Sequence, residues 1–353
     1  MYRNDSHENV CFILIFALVF MYALVPFSAH FLGWRNIEWA ELNLKYSLWL
    51  IIILFAIKVS KPLSMKCLGI MPEKEVRGRT IIAAFVLGIA IFYFFPWHED
   101  RVSIGSKFAA LMRAIWLYIT FSLFSASELK RFLALFFTLI LMLIDESRTT
   151  FILCIFFLTI GSRYRSILLP VGLIAAIILA AVRMSKSGGI LYALWYGLFG
   201  EAYNGAFPVS QVAEIDFNFT QEILYLINIV LQPISFVIIK IVSLFVADAN
   251  MLSAHSMLVS EVRLTLGEKL APMGGWYLPA SFVHSSFFGP LIMAPYTGVI
   301  FLFSKFLFYS KNFPYHLLFI FLAIKATPHV YINFCIYYAL VFYILKRLQC
   351  VKL

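Results

Sequence analysis

Residues 10–32 read VCFILIFALVFMYALVPFSAHFL, a run with no Asp, Glu, Lys or Arg. Its apolar residues are continuous, not alternating, which indicates a membrane-spanning helix and not a barrel strand. It is too long for a signal-peptide core and lacks a clear small-residue cleavage site, so it reads as an uncleaved first span. The whole chain follows suit: of 353 residues 62% are hydrophobic and only 13% charged. A soluble domain of this size would carry far more charge. Lipid leaves only helical bundles and closed barrels as ways to satisfy the backbone. The fold class expected is therefore all-α, a polytopic integral membrane helical bundle forming one domain over residues 1–353.

Further apolar runs predict spans at 46–60, 80–97, 108–127, 130–146, 149–162, 166–183, 279–304, 313–327 and 330–345, about ten in all (10–12). Loop charge orients them. Lys58, Lys61, Lys66, Lys74, Arg77 and Arg79 crowd one loop against Glu73 and Glu75. Alternating spans put Lys130–Arg131, Arg163–Arg165, Lys305, Lys311 and the basic tail on that same, cytoplasmic side, together with both termini. The net charge of +10 is then the positive-inside signature, and nucleic acid is not expected as a partner. The five cysteines share no metal-ligand spacing, so neither a zinc site nor a disulfide framework is expected.

Residues 184–278 form one large external loop region, with seven acids and four cations. Within it, Ile223–Ala247 is long enough to span. A single crossing there would move Lys305, Lys311 and the tail outside, and Pro233, Asn228, Gln232 and Lys240 weaken it as a plain span. It reads as a re-entrant or interfacial element, with an eleventh span as the alternative. A channel or simple carrier has no need of such a loop, whereas an enzyme acting on a lipid-linked substrate does.

On the external face lies Asp145-Glu146-Ser147-Arg148-Thr149-Thr150. Arg148 reads either as an anchor paired to a neighbouring carboxylate or as a forked, permanently charged phosphate donor. Arg263 stands in a loop whose Gly267, Gly274 and Gly275 permit close approach to a ligand. His284, early in the span expected at 279–304, is a candidate because an unpaired histidine in a membrane is unfavourable; a packing role is the alternative. Glu201 reads as a base, a hydroxyl acceptor or a solvated carboxylate. Tyr203, Trp276 and Tyr277 suit sugar stacking or the membrane interface. Arg113 and Lys325 are the clearest charges inside spans. No P-loop, no GxGxxG in a strand–helix setting and no HExxH occurs.

Three patches carry a resemblance. They are the Ser147-Arg148-Thr149 step opening a span, the large loop before the last spans, and Gly274-Gly275-Trp276-Tyr277-Leu278-Pro279 followed by Phe287-Phe288-Gly289-Pro290-Leu291. In these the chain resembles the Wzy-type O-antigen polymerases of bacterial envelopes. Arg263 and Gly274 also stand at a spacing seen in periplasmic loops of some members. No second copy follows Arg183, where Leu194 stands at the glycine position. O-antigen ligases share a similar late loop but show a histidine where this chain has Gly275-Trp276-Tyr277.

The resemblance implies an inner-membrane glycosyltransferase with a periplasmic active face and no cofactor or metal. It would transfer, with inversion, a glycan from undecaprenyl diphosphate to a lipid-linked repeat unit in lipopolysaccharide biosynthesis. Arg148 and Arg263 would stabilise the leaving diphosphate, with Arg183 and Lys269 in support and Gly274, Trp276, Tyr277 and Tyr203 binding substrate. Glu201, His284, Glu268 and Asp145, in that order, are the candidate proton acceptors. Membrane lipids, a chain-length regulator and a flippase are the expected partners. A ligase-like transferase or a flippase for the same lipid-linked sugars is the alternative.

Overall fold

The computed structural model describes residues 2–31, 39–60, 67–94, 104–145, 148–168, 170–171, 174, 209, 218–220, 223, 278–283, 289–325 and 328–350. These include nine α-helices: α1 (Tyr2–Phe31), α2 (Ala40–Val59), α3 (Gly78–Phe94), α4 (Ile104–Ser122), α5 (Glu128–Ile144), α6 (Arg148–Ile160), α7 (Gly289–Phe308), α8 (Tyr315–Ile324) and α9 (Pro328–Cys350). Among the described residues there is no strand. Stretches in α1, α2, α4 and α7 are long and apolar enough to cross a membrane. Phe55, Val86 and Phe136 are each 59% exposed, an outward apolar surface that suits lipid. The fold is all-helical and compatible with a helical membrane protein. Most of the seventh expected span and almost all of 184–278 lie outside the described residues.

Packing explains the polar residues inside these helices. Pro26 in α1 has no N–H and so frees the Tyr22 carbonyl one turn earlier. Asn43 of α2, fully buried, donates its side-chain N–H to that carbonyl at 2.7 Å. The proline break and the buried amide thus answer each other and dock α2 on α1. At the centre, α4 buries Trp116, Tyr118 and Phe121 completely. The indole N–H of Trp116 donates to Thr138 of α5 at 3.0 Å, and Phe121 packs against Phe157 of α6 and Tyr315 of α8.

The basic loops expected on one side do meet at one end of the bundle. Leu68 N–H donates to the Phe306 carbonyl near the end of α7 (3.0 Å). Lys346 near the end of α9 donates to the Gly69 carbonyl (2.6 Å) and pairs with Glu73. Gly69 has φ +61°, a left-handed conformation that favours glycine. Lys130 of α5 pairs with Glu75. Glu128 at the start of α5 accepts from the Ser162 hydroxyl (2.6 Å) and the Arg163 N–H (3.1 Å) just beyond α6. The other termini of α5, α6, α7 and α9 therefore gather at the opposite end, with Asp145, Arg148, Gly289 and Pro328.

Two expected spans have shorter helices among the described residues. Within 279–304 the described α-helix is Gly289–Phe308, and Leu278–Phe282 is a 3₁₀ turn. A Cβ at Gly289 would fall against the Phe282 carbonyl oxygen and 3.0 Å from the Tyr46 hydroxyl, so the turn folds back where glycine alone fits. His284 lies outside the described residues. The stretch 313–327 contributes only the ten residues of α8, all buried. At 1.5 Å per residue this is ~15 Å, about half of a hydrocarbon core. α8 ends at Lys325, itself buried, where a cation suits the carbonyl end of a helix.

Asn43→Leu removes the buried amide that donates to the Tyr22 carbonyl and is expected to destabilise the bundle by about 1–3 kcal/mol. Thermal unfolding in detergent checks this, and an unchanged midpoint would show that another group meets the carbonyl.

Candidate functional site

The opposite end is organised by a charge pair inside the bundle. Arg113 stands midway along α4, and Asp145 directly follows α5. Asp145 closes α5 with its own N–H, which donates to the Leu141 carbonyl at 2.8 Å. Its side chain then turns inward. Arg113 grips both carboxylate oxygens, Nε to Oδ2 at 2.6 Å and an Nη to Oδ1 at 2.8 Å. Both residues are buried, at 4% and 3% exposure. This bidentate geometry is the strong form of the interaction. The guanidinium also faces the Phe92 ring at 5.9 Å, and its field reaches Tyr337 and Tyr338 of α9.

Three residues past Asp145, Arg148 opens α6. The next contact follows at once: the Thr150 hydroxyl meets the Tyr338 hydroxyl at 2.9 Å, both groups buried. Tyr338 is held in turn by Phe319, Phe334 and Phe342. The corner from α5 to α6 is thus fastened on both sides, to α4 at Asp145 and to α9 at Thr150. The backbone of Arg148 lies between these two fixed points.

Of the residues expected from sequence, Arg148 is located as the first residue of α6. Asp145, named as a proton acceptor, has both oxygens committed to Arg113 and acts instead as an anchor. Arg263, Glu201, His284, Glu268, Arg183, Lys269, Gly274, Trp276, Tyr277 and Tyr203 lie outside the described residues. Thr150, Tyr337, Tyr338 and Phe92 were missed. Tyr338 sits in an aromatic-rich helix where nothing local marks it. Arg113 carried a usable signal: a lone cation in an apolar span implies a nearby acid, and Asp145 ends the neighbouring span.

No family model, curated protein or solved structure matches this chain.

Arg113→Met is expected to lower stability by about 3–5 kcal/mol, because it withdraws the fork from a buried carboxylate. Arg113→Met combined with Asp145→Leu should recover most of that loss. Unfolding in detergent followed by tryptophan fluorescence distinguishes the two, and a double variant as unstable as the single would contradict an ion-pair origin.

Proposed function

We propose that this protein is an O-antigen polymerase: a bacterial inner-membrane glycosyltransferase of about ten spans whose active face is periplasmic. The observation that supports it best is the fastened corner at Asp145–Thr150, which carries Arg148 at the same end of the bundle as Leu278–Gly289. Residues 184–278, the large external loop of this reading, rejoin the bundle there. Two of the three patches of the resemblance flank that end.

In this reading a sugar hydroxyl of one lipid-linked repeat attacks the anomeric carbon of the glycan on a second lipid. The new C–O bond forms with inversion as the bond from that carbon to the diphosphate oxygen breaks. The hydroxyl proton passes to a base, Glu201 or His284, and polyprenyl diphosphate departs. Charge grows on the diphosphate in the transition state, and fixed donors there contribute roughly 3–4 kcal/mol each. Arg148 and Arg263 fill this role, with Arg183 and Lys269 beside them. Glycine and aromatic residues of the loop hold the sugars. The donor's glycosyl–phosphate bond supplies the driving force, so neither nucleotide nor cofactor is required.

A flippase for the same lipid-linked sugars is the second reading. It is favoured by cations buried in the bundle among the described residues, Arg113 and Lys325 as well as Arg131 at the basic end. Arg113 is matched by Asp145, however, which suits an anchor better than a transport path. A ligase-like transferase remains the nearest enzymatic alternative.

Deleting the gene in its host should collapse the surface-polysaccharide ladder to core plus one repeat. Complementation with Arg148→Ala should fail, and Arg148→Lys should restore little, since an ammonium cannot reproduce the guanidinium fork. Loss of the first repeat as well would point to a flippase or ligase, and an unchanged ladder would remove the reading.

A further inference from the structure

The basic end of the bundle holds a cavity of about 740 Å³ that the reading above does not use. Its wall is built from His7 of α1, Glu128 and Arg131 of α5, Arg163 and Arg165 just after α6, and Asn312 between α7 and α8. Four separate chain segments converge on it, and the volume lies in the range of small-ligand sites, about 300–1,000 Å³.

Its charge is unbalanced, with three guanidiniums facing one carboxylate. Arg131 forms the floor. Its guanidinium donates to the carbonyls of Leu123, Phe124 and Gly161, so it is fixed in place while its net charge stays. Glu128 lies 4.0 Å from Arg131, and its two oxygens already accept from Ser162 and the Arg163 N–H. Burial alone would raise the Glu128 carboxyl, but those donors and the arginine charges outweigh it and hold it below the usual carboxylate range. Arg163 and Arg165 are exposed at the rim, and Arg163 rests over the Tyr164 ring at 4.7 Å.

The apolar helices end at this level, so the rim lies where lipid headgroups would be. A basic pocket between helices at that depth suits a phosphate-bearing headgroup, and guanidiniums suit phosphate by their forked geometry. We infer that this cavity binds a phosphate ester, with Arg131 as a preset floor and Arg163 and Arg165 closing on the anion from the rim. The ligand class is an anionic phospholipid headgroup or a soluble sugar- or glycerol-phosphate of the same chemistry.

The test uses the purified full-length protein. Native mass spectrometry would measure retention of phosphatidylglycerol against phosphatidylcholine, and calorimetry would measure binding of glycerol phosphate. Arg163→Ala with Arg165→Ala removes the rim. Lys74→Ala with Arg77→Ala removes two exposed cations of the same end that do not line the cavity. A melting curve would confirm that both variants are folded. The wild type should bind at least one of the two probes, and the rim variant should bind it about tenfold or more weakly while the control keeps its affinity. Retention of the lipid alone assigns a headgroup, and binding of glycerol phosphate assigns a soluble ester. Equal binding by wild type and rim variant would overturn the site. So would an equal loss in the control, which would mark a general surface attraction, or no binding of either probe.

Discussion

A guanidinium enclosed by apolar helices must meet an anion, and Arg113 meets Asp145. Removing two charges from water costs several kcal/mol for each ion, and only a close pair with its hydrogen bonds completed offsets it. Both conditions hold here: two short bonds to two oxygens, with Phe92 over the cation. The fork joins the middle of α4, the most deeply packed of the long helices, to the end of α5. From that junction the chain turns into α6, where Thr150 ties the corner to α9. A hydrophobic contact at the same place would hold the helices together but would not fix the rotation of the corner, because dispersion contacts have no direction.

The two ends of the bundle are built on different physics. At the basic end, exposed and half-exposed ion pairs join loops: Lys130 with Glu75 and Lys346 with Glu73. Such pairs contribute little each, and the backbone carbonyls taken by Arg131 do more to define the geometry. At the other end a single enclosed pair defines the corner from within. This asymmetry accords with chemistry at one face and lipid contact at the other. It also separates the two functional readings, since nothing in the basic cavity depends on Arg148.

Much of the architecture was legible because membrane helices announce themselves by length and apolarity. α1 to α6 and α9 fall within a few residues of the expected spans, apart from the N-terminal extension of α1. The grouping of Glu73, Glu75, Lys130, Arg163 and Lys346 followed from charge alone. α8 was misread because a helix buried on every side has no polar face to mark its ends, and a short uniform run looks like a short span. The close approach of Gly289 to the Phe282 carbonyl and the Tyr46 hydroxyl joins separate elements, and no local pattern encodes it. The site was legible only in part. Arg148 stood out by its place at a span boundary, whereas the Thr150–Tyr338 contact joins residues far apart in sequence and leaves no local trace. Arg263, Glu201 and His284 rest on the sequence and its resemblance.

Reconstitution is the most direct test of the central claim. The purified protein would be placed in liposomes with polyprenyl-diphosphate-linked repeat units and no nucleotide, and the lipid-linked products resolved by length. Polymerase activity predicts a series of lengthening glycans, with one polyprenyl diphosphate released for each linkage formed. Repeats that stay single while crossing the bilayer would contradict it and identify a transporter instead.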